Sequence, residues 1–174
     1  NGYVVSLRGG ADSAAIACLI RQMHDAAIDE LGPDFGGKLP ATDFASILMT
    51  VYQPTENSGE TTRNAAAQLA EALGATHRVL DLTSIHQSYL HLISDAIGEK
   101  LEWSRHDIPL QNIQARVRAP GAWMLANLRN ALLLTTSNRS EAAVGYATMD
   151  GDTAGGLAPV SGIDKAFLRH WLRW

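Results

Sequence analysis

Short runs of β-branched and aliphatic residues alternate with helical patterns along this 174-residue chain, and few folds accommodate that alternation. Tyr3 to Leu7, Ala45 to Tyr52, Arg78 to Leu82 and the stretch ALLLTTSN (131–138) are short, apolar and bounded by turn residues, so each reads as a strand. Between them the spacing predicts helices over Asp12 to Leu31, Asn57 to Leu73, Ile85 to Ile97 and Gln111 to Asn130. The first would bury Ala15, Leu19, Met23 and Ala27, and the last is interrupted at Pro120-Gly121. A short helix follows over Ser140 to Val144. Gly32-Pro33 stops the first helix, Asn57 with Glu60 reads as a cap pair, and Gly74 reads as a left-handed terminator. LGPDFGGKLPATD and GEKLEWSRHDIP carry little periodicity and read as connections. Such alternation produces βαβ crossovers, hence an α/β, Rossmann-like parallel sheet with helices on both faces. Ligands of these sheets sit beyond the carboxyl ends of the strands.

The totals narrow the partners. A net charge of −4 argues against a nucleic-acid binder, and no apolar run reaches the roughly 20 residues of a membrane span. The single cysteine, Cys18, lies among Ala15, Ile16, Leu19 and Ile20 as a small buried hydrophobe. With no internal disulfide available and no secretory leader visible, a cytoplasmic location is expected. The six histidines show no metal-ligand spacing. By length the chain is one domain, 1–174, and its abrupt ends read as those of a piece of a longer polypeptide.

Where the first strand becomes the first helix, the chain reads Arg8-Gly9-Gly10-Ala11-Asp12-Ser13. Glycines let a bulky anion approach the main chain, and the following helix presents unpaired N–H groups and the positive end of its dipole. Ser13 adds a hydroxyl. Asp12 suits magnesium, which takes one or two carboxylates together with phosphate oxygens. Neither a Walker A loop nor a G-x-G-x-x-G fingerprint fits the spacing. Taken alone, the stretch also reads as a plain strand-to-helix turn with Asp12 as its cap.

RGGADS resembles the S-G-G-x-D-S signature of the PP-loop ATP pyrophosphatases, with Arg8 in the place of the usual serine. Arginine there either pairs bidentately with pyrophosphate or crowds the loop. QNIQARVR (111–118), LLLTTSNRSEAAVGYATMDGD (132–152) and GGLAPVSGIDK (155–165) narrow the likeness to the synthetase domain of glutamine-dependent NAD synthetases, and it runs from about residue 3 to residue 174.

That resemblance implies an adenine nucleotide alpha-hydrolase-like fold and a set of site residues. ATP would be bound by Arg8, Gly9, Gly10, Ala11, Asp12, Ser13, Thr136 and Lys165. Deamido-NAD would be bound by Asn112, Arg116, Glu141, Tyr146, Ala147, Thr148 and Met149. Mg²⁺ would be held by Asp12 and Glu141. Ammonia-dependent relatives carry a lysine at the position of Met149 and an aspartate at that of Gly156, so those two roles do not transfer. The implied reaction is ATP-dependent amidation of deamido-NAD to NAD through an acyl adenylate, releasing pyrophosphate and then AMP, with no protein nucleophile. Ammonia would come from glutamine through a nitrilase-like glutaminase domain upstream, absent from this chain, and some residues would follow its C-terminal end. Assembly as a homo-oligomer is expected too. Two competing readings stand beside this one. The first is another PP-loop enzyme, such as a GMP synthetase-type amidase or a tRNA-sulfur transferase. The second is a non-catalytic nucleotide-binding module, for which Arg8 is the best support.

Overall fold

Val4 and Val5 are adjacent and both wholly buried, which requires cover on both faces of their strand because successive side chains point to opposite sides. The computed structural model describes residues 2–32 and 43–174, so most of LGPDFGGKLPATD lies outside the described residues. Strands β1 (Tyr3–Ser6), β2 (Leu48–Tyr52), β3 (Thr76–Val79) and β4 (Leu132–Leu134) form one parallel sheet in the order β3-β2-β1-β4. This is the sheet expected from the alternating pattern.

Helix α1 (Ala11–Leu31) covers one face, packing Ala15, Ile16 and Ile20 against Val5, Leu48 and Leu134. Leu168 of α8 (Lys165–Trp171) joins the same cluster. On the opposite face Ala122 and Ala126 of α6 (Arg118–Arg129) meet Val4, Met49, Val51 and Leu133. Each fully buried valine or leucine contributes about 1.5–3 kcal/mol relative to exposure. The remaining helices are α2 (Phe44–Ile47), α3 (Glu60–Leu73), α4 (Thr83–Ile97), α5 (Trp103–Arg116) and α7 (Arg139–Val144). Beyond β4 the chain returns along the edge of the sheet. Leu157 bridges Leu134 in parallel, with Gly156 N–H donating to Leu133 O at 2.8 Å and Thr135 N–H to Leu157 O at 2.9 Å.

Several boundaries differ from the sequence reading, some for a local reason. The second strand begins at Leu48 because the Asp43 carboxylate accepts from Ala45 N–H and winds 44–47 into α2. Helix α3 starts at Glu60 with Gly59 as its N-cap; Asn57 belongs to the turn that Ser58 closes onto Thr55. The third strand ends at Val79, three residues earlier than expected. Helix α5 begins inside GEKLEWSRHDIP, with a kink at His106, whose Nδ1 accepts from Glu102 N–H. The long helix breaks at Val117, not at Pro120-Gly121, because Pro120 falls in the first turn of α6, where its missing N–H has no helical partner. The buried stripe of α1 runs through Ile16, Ile20 and His24, leaving Met23 exposed. Cys18 is half-buried, and burial pushes its thiol pKa up, away from the thiolate. Gly74 does close α3, in the left-handed conformation with φ 72°.

Candidate functional site

The strand order reverses between β1 and β4, the point at which ligands of open α/β sheets bind. Residues leaving the carboxyl ends of these two strands carry most of the expected site.

Between β1 and α1 the loop turns on Gly9, whose φ of +73° lies in the left-handed region. A Cβ at Gly9 would lie 2.7 Å from the Thr62 carbonyl oxygen, so the loop is braced against the main chain of α3. Gly10 has an ordinary φ of −96° and caps α1 with no side-chain hydrogen bond, and nothing lies within 4 Å of the position its Cβ would take. Gly10 therefore leaves open space before the first N–H groups of α1, where Ala11 is the first helical residue. Ser13 is buried and bonded within the loop: its Oγ accepts from Arg8 N–H at 3.3 Å and donates to Gly10 O at 3.1 Å. Asp12 is not the cap. Its carboxylate points across to the elements that follow β4.

There, Asn138 is wholly buried and has two tasks. Its Oδ1 caps α7 by accepting from Glu141 N–H at 3.1 Å, and its Nδ2 donates to Asp12 Oδ1 at 3.0 Å. Lys165 opens α8 beside it, its N–H donating to Ser140 Oγ at 3.0 Å. The Lys165 ammonium sits 3.0 Å from Asp12 Oδ2 and 3.1 Å from Glu141 Oε1. The hydrogen bond to Asp12, then the one to Glu141, raise the lysine pKa above its ordinary value. Three charged residues from three helices thus meet at one point, two acids on a single base. Two carboxylates converging here are the ligand type magnesium takes together with phosphate oxygens, and among the described residues no group of three or more potential metal ligands occurs.

Thr135 and Thr136, both buried, lie just past β4 and face Ser6 and Arg8 across a small crevice of about 30 Å³. Arg8 bridges it, with Nη1 2.6 Å from Asp152 Oδ1. Arg118 lines the same crevice and donates from Nε to Gln53 O at 3.3 Å, while Gln53 Nε2 donates to Arg118 O at 2.7 Å. Burial, then the charge of Arg8, push the Arg118 pKa down, and Asp152 opposes them.

A wider open groove of about 860 Å³ runs between α5 and the segment after α7. It is lined by Asn112, Arg116, Tyr146, Ala147, Thr148 and Met149. Thr148 Oγ1 donates to Asn112 Oδ1 at 3.0 Å, and Arg116 Nε donates to Met149 O at 3.0 Å, so α5 holds this segment directly. The Tyr146 ring is largely exposed to the groove. The expected residues therefore gather in three adjoining places: the loop with its charged triad, the crevice and the groove. Sequence reasoning missed Asn138, Arg118 and Asp152. The first carried a readable signal, an Asn three residues ahead of Glu141, whereas the roles of the two others depend on tertiary contacts alone.

The sequence profile of the NAD synthase family matches residues 1–174. The glutamine-dependent NAD(+) synthetase of Aquifex aeolicus is 33% identical over all of this chain, which spans 27% of that protein. Among solved structures, a glutamine-dependent NAD(+) synthetase from Cytophaga hutchinsonii aligns at TM-score 0.92 and 47% identity, covering 99% of this chain and 33% of its own. The same enzyme type from Acinetobacter baumannii, in complex with adenosine diphosphate, aligns at TM-score 0.76 and 27% identity, covering 99% of this chain and 28% of its own. The chain thus spans about a third or less of the length of these relatives, and along its whole extent it belongs to the NAD synthase family.

Proposed function

We propose that this chain binds ATP at the Gly9–Gly10 loop and amidates the nicotinate carboxylate of deamido-NAD to give NAD. The observation that carries the reading is the convergence of Asp12, Glu141 and Lys165 beside an open helix N-terminus at the switch point of the sheet. Family membership supports it, as does the adenosine diphosphate bound by the Acinetobacter relative.

In this reading the main chain at Gly10 and Ala11 faces the β- and γ-phosphates, with Thr136 beside the nucleotide. Asp12 and Glu141 would hold Mg²⁺, which when bound neutralises charge on the phosphates. Lys165 is then a point charge for the departing pyrophosphate. Asn112, Arg116, Glu141 and the 146–149 segment hold deamido-NAD, with Arg116 suited to a phosphate or carboxylate and Tyr146 offering a face to the pyridine ring. A carboxylate oxygen of the nicotinate attacks the α-phosphorus, the bond to the β-phosphate oxygen breaks, and pyrophosphate leaves. Ammonia then attacks the acyl carbon, loses a proton and expels AMP. Neither step needs a nucleophile from the chain; positioning and charge neutralisation carry both.

Glutamine is the proposed source of ammonia, through a glutaminase domain of the full-length polypeptide. A cytoplasmic homo-oligomer completes the reading. No helix among the described residues is long and apolar enough to cross a membrane. Ile85, Leu92, Ile93, Met124 and Leu128 on α4 and α6 are exposed apolar side chains that a second copy would cover, which sedimentation of the protein checks.

The test is the full-length protein with ATP, Mg²⁺, deamido-NAD and an ammonium salt: NAD and pyrophosphate should form together, and Asp12→Asn should abolish both. Pyrophosphate formed only with xanthosine monophosphate would point instead to a GMP synthetase-type amidase. One observation favours a second reading, a nucleotide-binding module without turnover: Arg8 stands at the first loop position and is already held by Asp152. ATP binding with no pyrophosphate release under any acceptor would select it.

A further inference from the structure

Arg8 and Asp152 are 144 residues apart and belong to the two halves of the site, the nucleotide loop and the turn that leads out of the acceptor groove. Their contact at 2.6 Å puts a carboxylate on a guanidinium at the mouth of the crevice, with both side chains only partly covered. The other walls of the crevice offer no competing acid: Ser6, Gln53, Thr135 and Thr136 are neutral, and Arg118 adds a second cation. Two arginines whose main charge balance is one aspartate make a ready oxyanion site once that aspartate leaves. A carboxylate presents two oxygens to a guanidinium fork much as a phosphate does. The Arg118 pKa, lowered by burial and by Arg8 while Asp152 opposes, records how closely the three charges interact.

We infer that Asp152 is an internal stand-in for the anion that Arg8 receives: pyrophosphate oxygens and the Asp152 carboxylate compete for the same guanidinium. Arg8 is then neither an obstruction nor a free ligand but a ligand held in check, and each anion bound releases the Asp152 turn. That turn continues into Thr148 and Met149, which α5 holds through Asn112 and Arg116, so the release reaches the wall of the acceptor groove. The inference rests on the proposed nucleotide site and adds to it the residue that limits anion affinity there.

The experiment is calorimetric titration of inorganic pyrophosphate with Mg²⁺ into the full-length polypeptide, comparing wild type, Asp152→Asn, Arg8→Gln and the double variant. Removing the competing carboxylate should tighten pyrophosphate binding by about 1.5- to 5-fold, the size of a partly exposed ion pair. Arg8→Gln should weaken it, and in the Arg8→Gln background the Asp152→Asn gain should vanish. Asp152→Ser gives the same direction without the amide, so a folding fault peculiar to the asparagine variant is recognised. Should wild type bind while both Asp152 variants bind no better or more weakly, Asp152 is a support for Arg8 and the inference is overturned; a gain that persists without Arg8 overturns it equally. Failure of every protein, wild type included, to bind pyrophosphate removes the proposed nucleotide site itself, and this inference with it.

Discussion

Gly9→Ala and Gly10→Ala are neighbouring substitutions in one loop, and the structure assigns them opposite consequences. At position 9 the backbone φ is +73°, which costs an L-residue with a Cβ roughly 1–2 kcal/mol. The new methyl would also stand 2.7 Å from the Thr62 carbonyl oxygen and 3.0 Å from the Thr62 Cα. Both are main-chain atoms of α3 and cannot swing aside, so overpacking adds about 1–3 kcal/mol. A combined cost near 3 kcal/mol is a large part of a stability of about 5–15 kcal/mol. For a domain of this size it lowers the melting temperature by roughly 6–12 °C. At position 10 the φ is −96° and the Cβ would meet nothing within 4 Å. Alanine there stays within about 0.5 kcal/mol of wild type, while its methyl stands where a phosphate would approach the first N–H groups of α1. Circular dichroism melts of both variants beside wild type, with ATP titrations of each, separate the two effects. Gly9→Ala should melt early, and Gly10→Ala should melt normally and bind ATP poorly. A Gly9→Ala protein that melts with wild type, or a Gly10→Ala protein that melts below it, would refute the reasoning.

Three further outcomes are expected. Lys165→Met removes the ammonium between Asp12 and Glu141; without nucleotide the paired acids should bind Mn²⁺ more tightly, while ATP affinity falls about 10- to 100-fold, both read by titration calorimetry. Leu168→Ala empties a site that is 1% exposed beneath α1 and should cost about 2–5 kcal/mol in urea unfolding. Burial, then the charge of Arg78, lower the His77 pKa, so the unfolded chain takes up that proton more readily than the folded one. The stability His77 contributes is therefore present above about pH 6.5 and lost as pH falls from there through its folded value. His77→Gln should flatten the decline of melting temperature between pH 7 and pH 5, and an unchanged decline would contradict the assignment.

Local chemistry made much of this architecture legible. The β-rich run at Tyr3, the closing glycine at Gly74 and the glycine loop are all set by short-range sterics and period, and they stand where the sequence placed them. Two misread boundaries in the fold share a cause, which is a local cap or helix start outweighing the propensity of the residues beside it. Asp43 winds Ala45 into a helix although its neighbours favour a strand, and Pro120 is harmless because α6 happens to begin two residues before it. In the site, the family motifs named the residues that gather around Lys165 and along the groove. They did not name Arg118 or Asp152, because an arginine on a helix and an aspartate in a glycine-rich turn look solvated until the fold brings them to Arg8. Asn138 is the intermediate case, with one role written locally as a cap and the other visible only once Asp12 lies beside it.

The strip of chain around Gly156 and Leu157 lies against β4, while the Gly9 loop hangs from β1, the next strand in. Both segments are thus tied to adjacent strands of one sheet, and displacing one against the other would break hydrogen bonds between β1 and β4 or at the Leu157 bridge. On the proposed function, the loop and the strip would keep their spacing while nucleotide and acceptor come and go, because each is anchored to the same sheet.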